Sequence, residues 1–191
     1  MEALVFGLTW GFWAGVSPGP LTLLVVRQAL TQGARPAVMA ALAPLLTDSL
    51  AIILAFFLAR ELPPGLTRAL EATGGAFLLY LGYQGLTTAS KLEGSPQASA
   101  QSLRDAVVVN LMNPHMYLFW LTAGLSQLKR PLPEPLWFIL GFYPAIIGSK
   151  ALIGLGVAKL RQVAWLQPLA RYSNVLLLAL GVYLLFLSAR P

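Results

Sequence analysis

Gly15-Val16-Ser17-Pro18-Gly19-Pro20 lies inside an apolar run that extends from about residue 3 to residue 31. Two prolines in three residues remove amide donors and clash with the preceding turn, so no helix passes through them intact. A hydroxyl residue followed by proline is also a helix-start pattern, because the hydroxyl caps free amides and proline misses no bond in the first turn. The stretch therefore predicts a broken helix whose second half begins near Ser17 and runs toward Leu30. Where both flanks are apolar, such a break places free amides and a positive dipole end in a medium with little water. That is a site suited to an anion such as a carboxylate. The alternative is a simple kink with no ligand.

The rest of the chain explains the apolar flanks. Of 191 residues, 57% are hydrophobic and only 10% are charged, against about 25% charged in a typical soluble domain. A helix needs roughly 20 apolar residues to cross a bilayer, and several runs reach that length. The apolar/polar alternation of a membrane barrel is absent, which leaves helices as the spanning element. The reading is an all-α membrane protein with about six transmembrane helices, near 3–31, 36–60, 66–89, 104–127, 135–159 and 170–189. The net charge of +6 resides mainly in short connections, where Lys and Arg set topology and meet lipid headgroups. Nucleic acid is not an expected partner. The chain has no cysteine, which excludes disulfides, thiol redox chemistry and cysteine metal sites. Met1-Glu2 lacks the positive start of a cleaved signal, so the first run is read as a permanent span. With the N-terminus outside, the cytoplasmic connections carry seven basic residues (Arg27, Arg35, Lys91, Arg104, Lys159, Arg161, Arg171) against five opposite (Arg60, Arg68, Lys129, Arg130, Arg190). This favours that orientation slightly.

The polar stretch at 90–103, with Gly94-Ser-Pro-Gln-Ala-Ser-Ala-Gln-Ser102 at its centre, reads as a flexible linker. It separates one three-helix unit, 1–89, from another, 104–191. The two units correspond. Asn113-Pro114 interrupts span 4 as Pro18 interrupts span 1, Lys150 sits in span 5 as Asp48 sits in span 2, and Gly82 of span 3 has a counterpart in Gly181 of span 6. The offsets, 96 for the prolines and 99 for the glycines, are nearly constant. Three spans per unit put the second unit into the membrane upside down. That is the inverted-repeat plan of many secondary transporters, here with the first helix of each repeat broken.

The candidate site residues gather at these interruptions. Ser17, Pro18, Gly19 and Pro20 form the first, and Asn113 and Pro114 the second. Asn110 lies one turn before, and His115, the single histidine, directly after. Asp48 is the one acid in the middle of a span, where a carboxylate is costly and is functional by default. It suits an ammonium group, a proton, or both in turn. Lys150 obeys the same logic and either pairs with Asp48 or faces the same cavity. Gly7, Gly11, Gly15 and Gly19 make a small-residue stripe that lets helices approach closely, within the chain or across a homodimer. The tryptophans are belt or packing residues by default, with Trp120 and Tyr117 placed to line a pocket.

The whole chain resembles the LysE/RhtB superfamily of amino-acid exporters. The likeness rests on Gly15-Val-Ser-Pro-Gly-Pro20, Gly33-Ala-Arg35, Leu81-Gly-Tyr-Gln-Gly85 and Asn110-Leu-Met-Asn-Pro114. Two departures are His115 where such proteins often carry lysine, and Thr47 where glycine often precedes the acid. The resemblance implies a multi-pass protein of the bacterial inner membrane that exports an amino acid, powered by the proton-motive force. Its expected partners are the amino acid, protons and lipid, with no cofactor and no enzymatic activity. The alternatives are a metal-ion exporter, disfavoured by one histidine and no cysteine, and a non-transporting membrane protein such as an intramembrane hydrolase using Ser17 and His115.

Overall fold

Pro18 does end the first helix. In the computed structural model, which describes residues 1–58, 64–87, 96–160 and 167–189, α1 (Glu2–Val16) stops just before Ser17. Ser17 takes φ −58°, ψ 133°, the extended form that a following proline imposes. Its amide and its hydroxyl both donate to the Trp13 carbonyl, at 3.0 and 2.7 Å. Helix α2 (Pro20–Thr31) starts after an extended Gly19, with Pro20 in its first turn. The expectation that Ser17 caps the second half-helix is therefore corrected, since Ser17 closes the first. Pro20 takes the first helical position, so the cap falls on Gly19, and the Ser17 hydroxyl is two residues too early to reach α2.

The second break has the expected form. Helix α6 (Pro96–Leu111) ends and α7 (Pro114–Phe119) begins across Asn113, whose Oδ1 accepts the His115 amide at 3.1 Å. The Tyr117 hydroxyl donates to the Leu111 carbonyl at 3.0 Å, so it satisfies backbone at the break. A π-helical turn over Trp120–Gly124 carries α7 into α8 (Leu125–Leu128). The remaining helices are α3 (Ala34–Ala41), α4 (Ala43–Leu58), α5 (Pro64–Thr87), α9 (Glu134–Leu160) and α10 (Gln167–Ser188). Gly33, at φ 96°, makes the tight turn between α2 and α3, a conformation that favours glycine.

Two further expectations change. Residues 96–103 of the expected linker are helical, and the buried Ser102 hydroxyl donates to the Pro36 carbonyl at 2.8 Å. Pro96 suits a first turn, and the small Ser and Ala residues after it allow close packing on α3. Arg27 is not in a connection but buried within α2. The readings of Arg60, Lys91, Gly94, Arg161, Trp165 and Arg190 lie outside the described residues.

Packing assigns the glycine stripe. A Cβ on Gly7, Gly11 or Gly15 would run into Phe138, Phe142 or Ser149 of α9, whereas Gly19 has open space around it. The stripe is thus used within the chain, and its rising contact order shows α1 and α9 running parallel. Helices α5 and α10 cross antiparallel, with Gly75 against the Gly181 carbonyl, the reverse contact, and Gly82 against Asn174. The pair α4 and α6 meets through Thr47 and Asn110. Gly11→Val is expected to wedge α1 from α9 and cost about 1–3 kcal/mol, the range for overpacking. Gly19→Ala should leave the melting temperature in detergent nearly unchanged, so measuring both separates packing from chance.

By length and composition alone, Ala34–Ile53 and Glu134–Leu160 are apolar enough to cross a bilayer. Helices α1 and α2, with 15 and 12 residues, are each too short because the break divides them. The buried residues among those described form two clusters. One joins α2, α3, α5, α6 and α10 through Leu24, Ala40, Leu81, Ala106 and Leu177. The other is aromatic, built on Trp120, Phe138 and Phe142.

Candidate functional site

The two helix breaks face one cavity of about 390 Å³. Ser17, Pro18, Gly19, Pro20, Asp48, Asn110, Asn113, His115 and Lys150 all line it. Pro114 does not; it is buried beside the cavity wall. Residues more than 100 positions apart in sequence therefore meet at one place, because α1 and α6 each stop at the depth where α4 and α9 carry their charged side chains.

Lys150 is only 4% exposed, and its ammonium is fully engaged. It donates to the carbonyls of Ala14 and Gly15, at 3.3 and 3.2 Å, and to Thr22 Oγ1 at 2.7 Å. An ammonium has three donors, and here it has three acceptors. Two of these are last-turn carbonyls of α1, where a cation is favoured by the helix dipole. Thr22 in turn donates to the Ser17 carbonyl at 2.9 Å, so the lysine and threonine together bridge the break from α1 to α2. Of the two arrangements expected for Lys150, the shared cavity is the one formed, and no direct ion pair joins it to Asp48 among the described residues.

Asp48 is 3% exposed and more loosely held. Its Oδ1 accepts from Thr47 Oγ1 and from Asn110 Nδ2, both at 3.3 Å. Asn110 makes its shorter bond, 2.6 Å, to the Thr47 hydroxyl. A fully occupied cation and a weakly bonded carboxylate thus stand at the same cavity.

The breaks also differ in what they offer. At α7 the first free amide is taken by the Asn113 side chain. At α2 no side chain caps the start, so the first-turn amides of Leu21 and Thr22, which have no intrahelical partner by position, remain available. The anion-binding expectation therefore falls on α2 and not on both breaks. Ser17 and His115 make no hydrogen bond to each other, and the Ser17 hydroxyl is committed to Trp13, so these two do not form a nucleophile–base pair.

A family model described as LysE type translocator matches residues 12–190. The chain belongs to the LysE type translocator family. It is accordingly a membrane transporter. No curated protein and no solved structure is a significant match to it.

The site of this LysE type translocator includes groups that sequence reasoning missed. Thr22 is the clearest, since its one visible signal is a hydroxyl in the first turn after Pro20. The wall toward the start of α1 is aromatic and apolar, with Trp10, Trp13, Phe119, Phe142 and Ile146. Trp120 lines the cavity, with its buried indole N–H on the side of Asp48 and making no well-formed hydrogen bond among the described residues. Tyr117 was expected beside it, but its hydroxyl is spent on the α6–α7 break and it does not line the cavity.

Proposed function

We propose that this translocator exports an amino acid, or a close derivative, across the bacterial inner membrane, driven by the proton-motive force. The observation that carries the reading is a single cavity with free helix amides, a carboxylate and an apolar wall. The α2 amides suit a substrate carboxylate, with the Lys150 charge behind them. Asp48 suits the substrate amine, or the proton that replaces it. The aromatic wall suits a neutral or apolar side chain over a basic one. Proton exchange at Asp48 couples the two movements: the carboxylate holds the amine in one state and a proton in the other.

The packing supports six spans in two inverted repeats, 1–89 and 104–191. Parallel α1 and α9, parallel α4 and α6, and antiparallel α5 and α10 fit the alternation that six spans require. The contact beside Lys150, where Ser149 meets Gly15, has its counterpart beside Asp48, where Thr47 meets Asn110. Movement of one repeat against the other then gives alternating access. A homodimer remains part of the proposal on chain size, since the stripe that suggested it is occupied by α9. A metal cargo is less well served: among the described residues no three His, Asp or Glu side chains gather.

The test is uptake of a labelled amino-acid panel into proteoliposomes, with and without a pH gradient. One or a few neutral amino acids should be carried, and faster with the gradient. Transport of none, or carriage indifferent to the gradient, would sink the reading.

A further inference from the structure

On one side of the cavity, beyond its lining, lies a buried polar contact that the proposed transport chemistry does not use. Its walls run from Asp48 and Lys150 toward Trp10, Trp13 and Phe119, on the side where α1 begins. On the other side, beyond Leu21 and Thr22, the packing is closed. Leu24, Val25, Ala40, Ala41 and Ala106 are all fully buried there. Past this layer Arg27, 6% exposed, donates from Nε to Asn174 Oδ1 of α10 at 2.7 Å. Asp105 of α6, also buried, pairs with Arg104 at 3.3 Å and is close enough to be electrostatically coupled to Arg27, with no direct ion pair between Asp105 and Arg27. Gln28, 1% exposed, adds a carbonyl oxygen with no hydrogen-bond partner among the described residues.

We propose that the Arg27–Asn174 contact, with Asp105 beside it, is a latch that holds the cavity closed on the α2–α3 side and releases once per transport cycle. This rests on the alternating-access reading above. The hydrogen bond joins α2, in the first repeat, to α10, in the second, with Asp105 of α6 beside it, so the latch lies across the seam along which the repeats must part. Its chemistry suits reversible opening. Apolar packing of similar volume stabilises a buried site as well as polar groups do, so a buried guanidinium bonded to a neutral amide is not needed for stability. When the seam opens and water enters, both groups are rehydrated, and the cost of separation is lower than for exposed apolar surface.

The absence of cysteine gives a clean test. A single reporter, Ala106→Cys, sits on the closed side, and a second, Ala14→Cys, lines the cavity. Each is reacted with an impermeant maleimide added to one face of oriented vesicles. Asn174→Ala should raise labelling of the Ala106 reporter roughly tenfold, the factor set by one net hydrogen bond to a charged group, and lower labelling of the Ala14 reporter. Asn174→Asp, which gives Arg27 a charged partner, should shift both in the opposite sense. Unchanged labelling, or a parallel rise at both reporters from loosened packing, overturns the latch. Labelling of both reporters from the same face overturns the two-sided reading itself, and the latch with it.

Discussion

Asp48→Asn is expected to abolish proton-driven export and leave the protein folded. Asparagine keeps the size and removes the titration. The Thr47 hydroxyl and the Asn110 amide, which donate to Asp48 Oδ1, can donate equally to an amide oxygen. Lys150 has no direct ion pair to Asp48 and keeps its three oxygen acceptors, so the change does not strip the cation of its bonds. Stability should therefore move by less than about 1 kcal/mol, as expected when no buried partner is orphaned. Transport loses two things. A charge-assisted bond to the substrate amine contributes about 1.5–3 kcal/mol, equivalent to roughly ten- to hundredfold in affinity, and the proton step disappears altogether. Melting and gradient-driven uptake measured on one preparation separate the effects. Full uptake by a well-folded Asp48→Asn protein, with unchanged pH dependence, would remove Asp48 from the mechanism and make His115 the next group to test.

The breaks were legible because proline acts locally. Pro18, Pro20 and Pro114 forbid a continuous helix whatever surrounds them, and the helices do stop there. Asp48 and Lys150 were legible for a different local reason, the cost of charge in an apolar run. Partner choice was not legible, because it depends on how helices far apart in sequence come together. Lys150 reads as a natural mate for Asp48, yet it is drawn to the α1 carbonyls, because Gly15 lets α9 approach closely enough for its ammonium to reach them. Ser17 reads as a start signal, yet the second proline moves the start to Pro20. The glycine stripe showed that something packs against α1 without showing that it is α9. Thr22 and Arg27 gave least warning: a threonine and an arginine near a helix start look ordinary until the fold places a lysine against one and Asn174 against the other.

Lys150→Met should fail for a reason opposite to that of Asp48→Asn. Methionine matches the length and apolar stem of lysine but carries no donor. The Gly15 carbonyl and the Thr22 oxygen would each lose a bond at a buried position, and the Ala14 carbonyl one at a part-buried position. Leaving a buried polar group unsatisfied costs about 1–3 kcal/mol, and two carbonyls in a water-poor site therefore put the expected loss at several kcal/mol. The nearest replacement donor, the Ser149 hydroxyl, already serves Ala145 and Ile146 one turn back. The break would lose the bridge from α1 through Lys150 and Thr22 to Ser17, and the α2 start would no longer be held against α1. Export should fall with the melting temperature, whereas Asp48→Asn should lower export alone. The double variant then tests the geometry directly. If the two charges act independently, their stability effects should add within about 0.5 kcal/mol. If instead Asp48→Asn rescues Lys150→Met by more than that, the two groups are energetically coupled, and Lys150 is a counter-charge to Asp48 before it is a clasp for the broken helix.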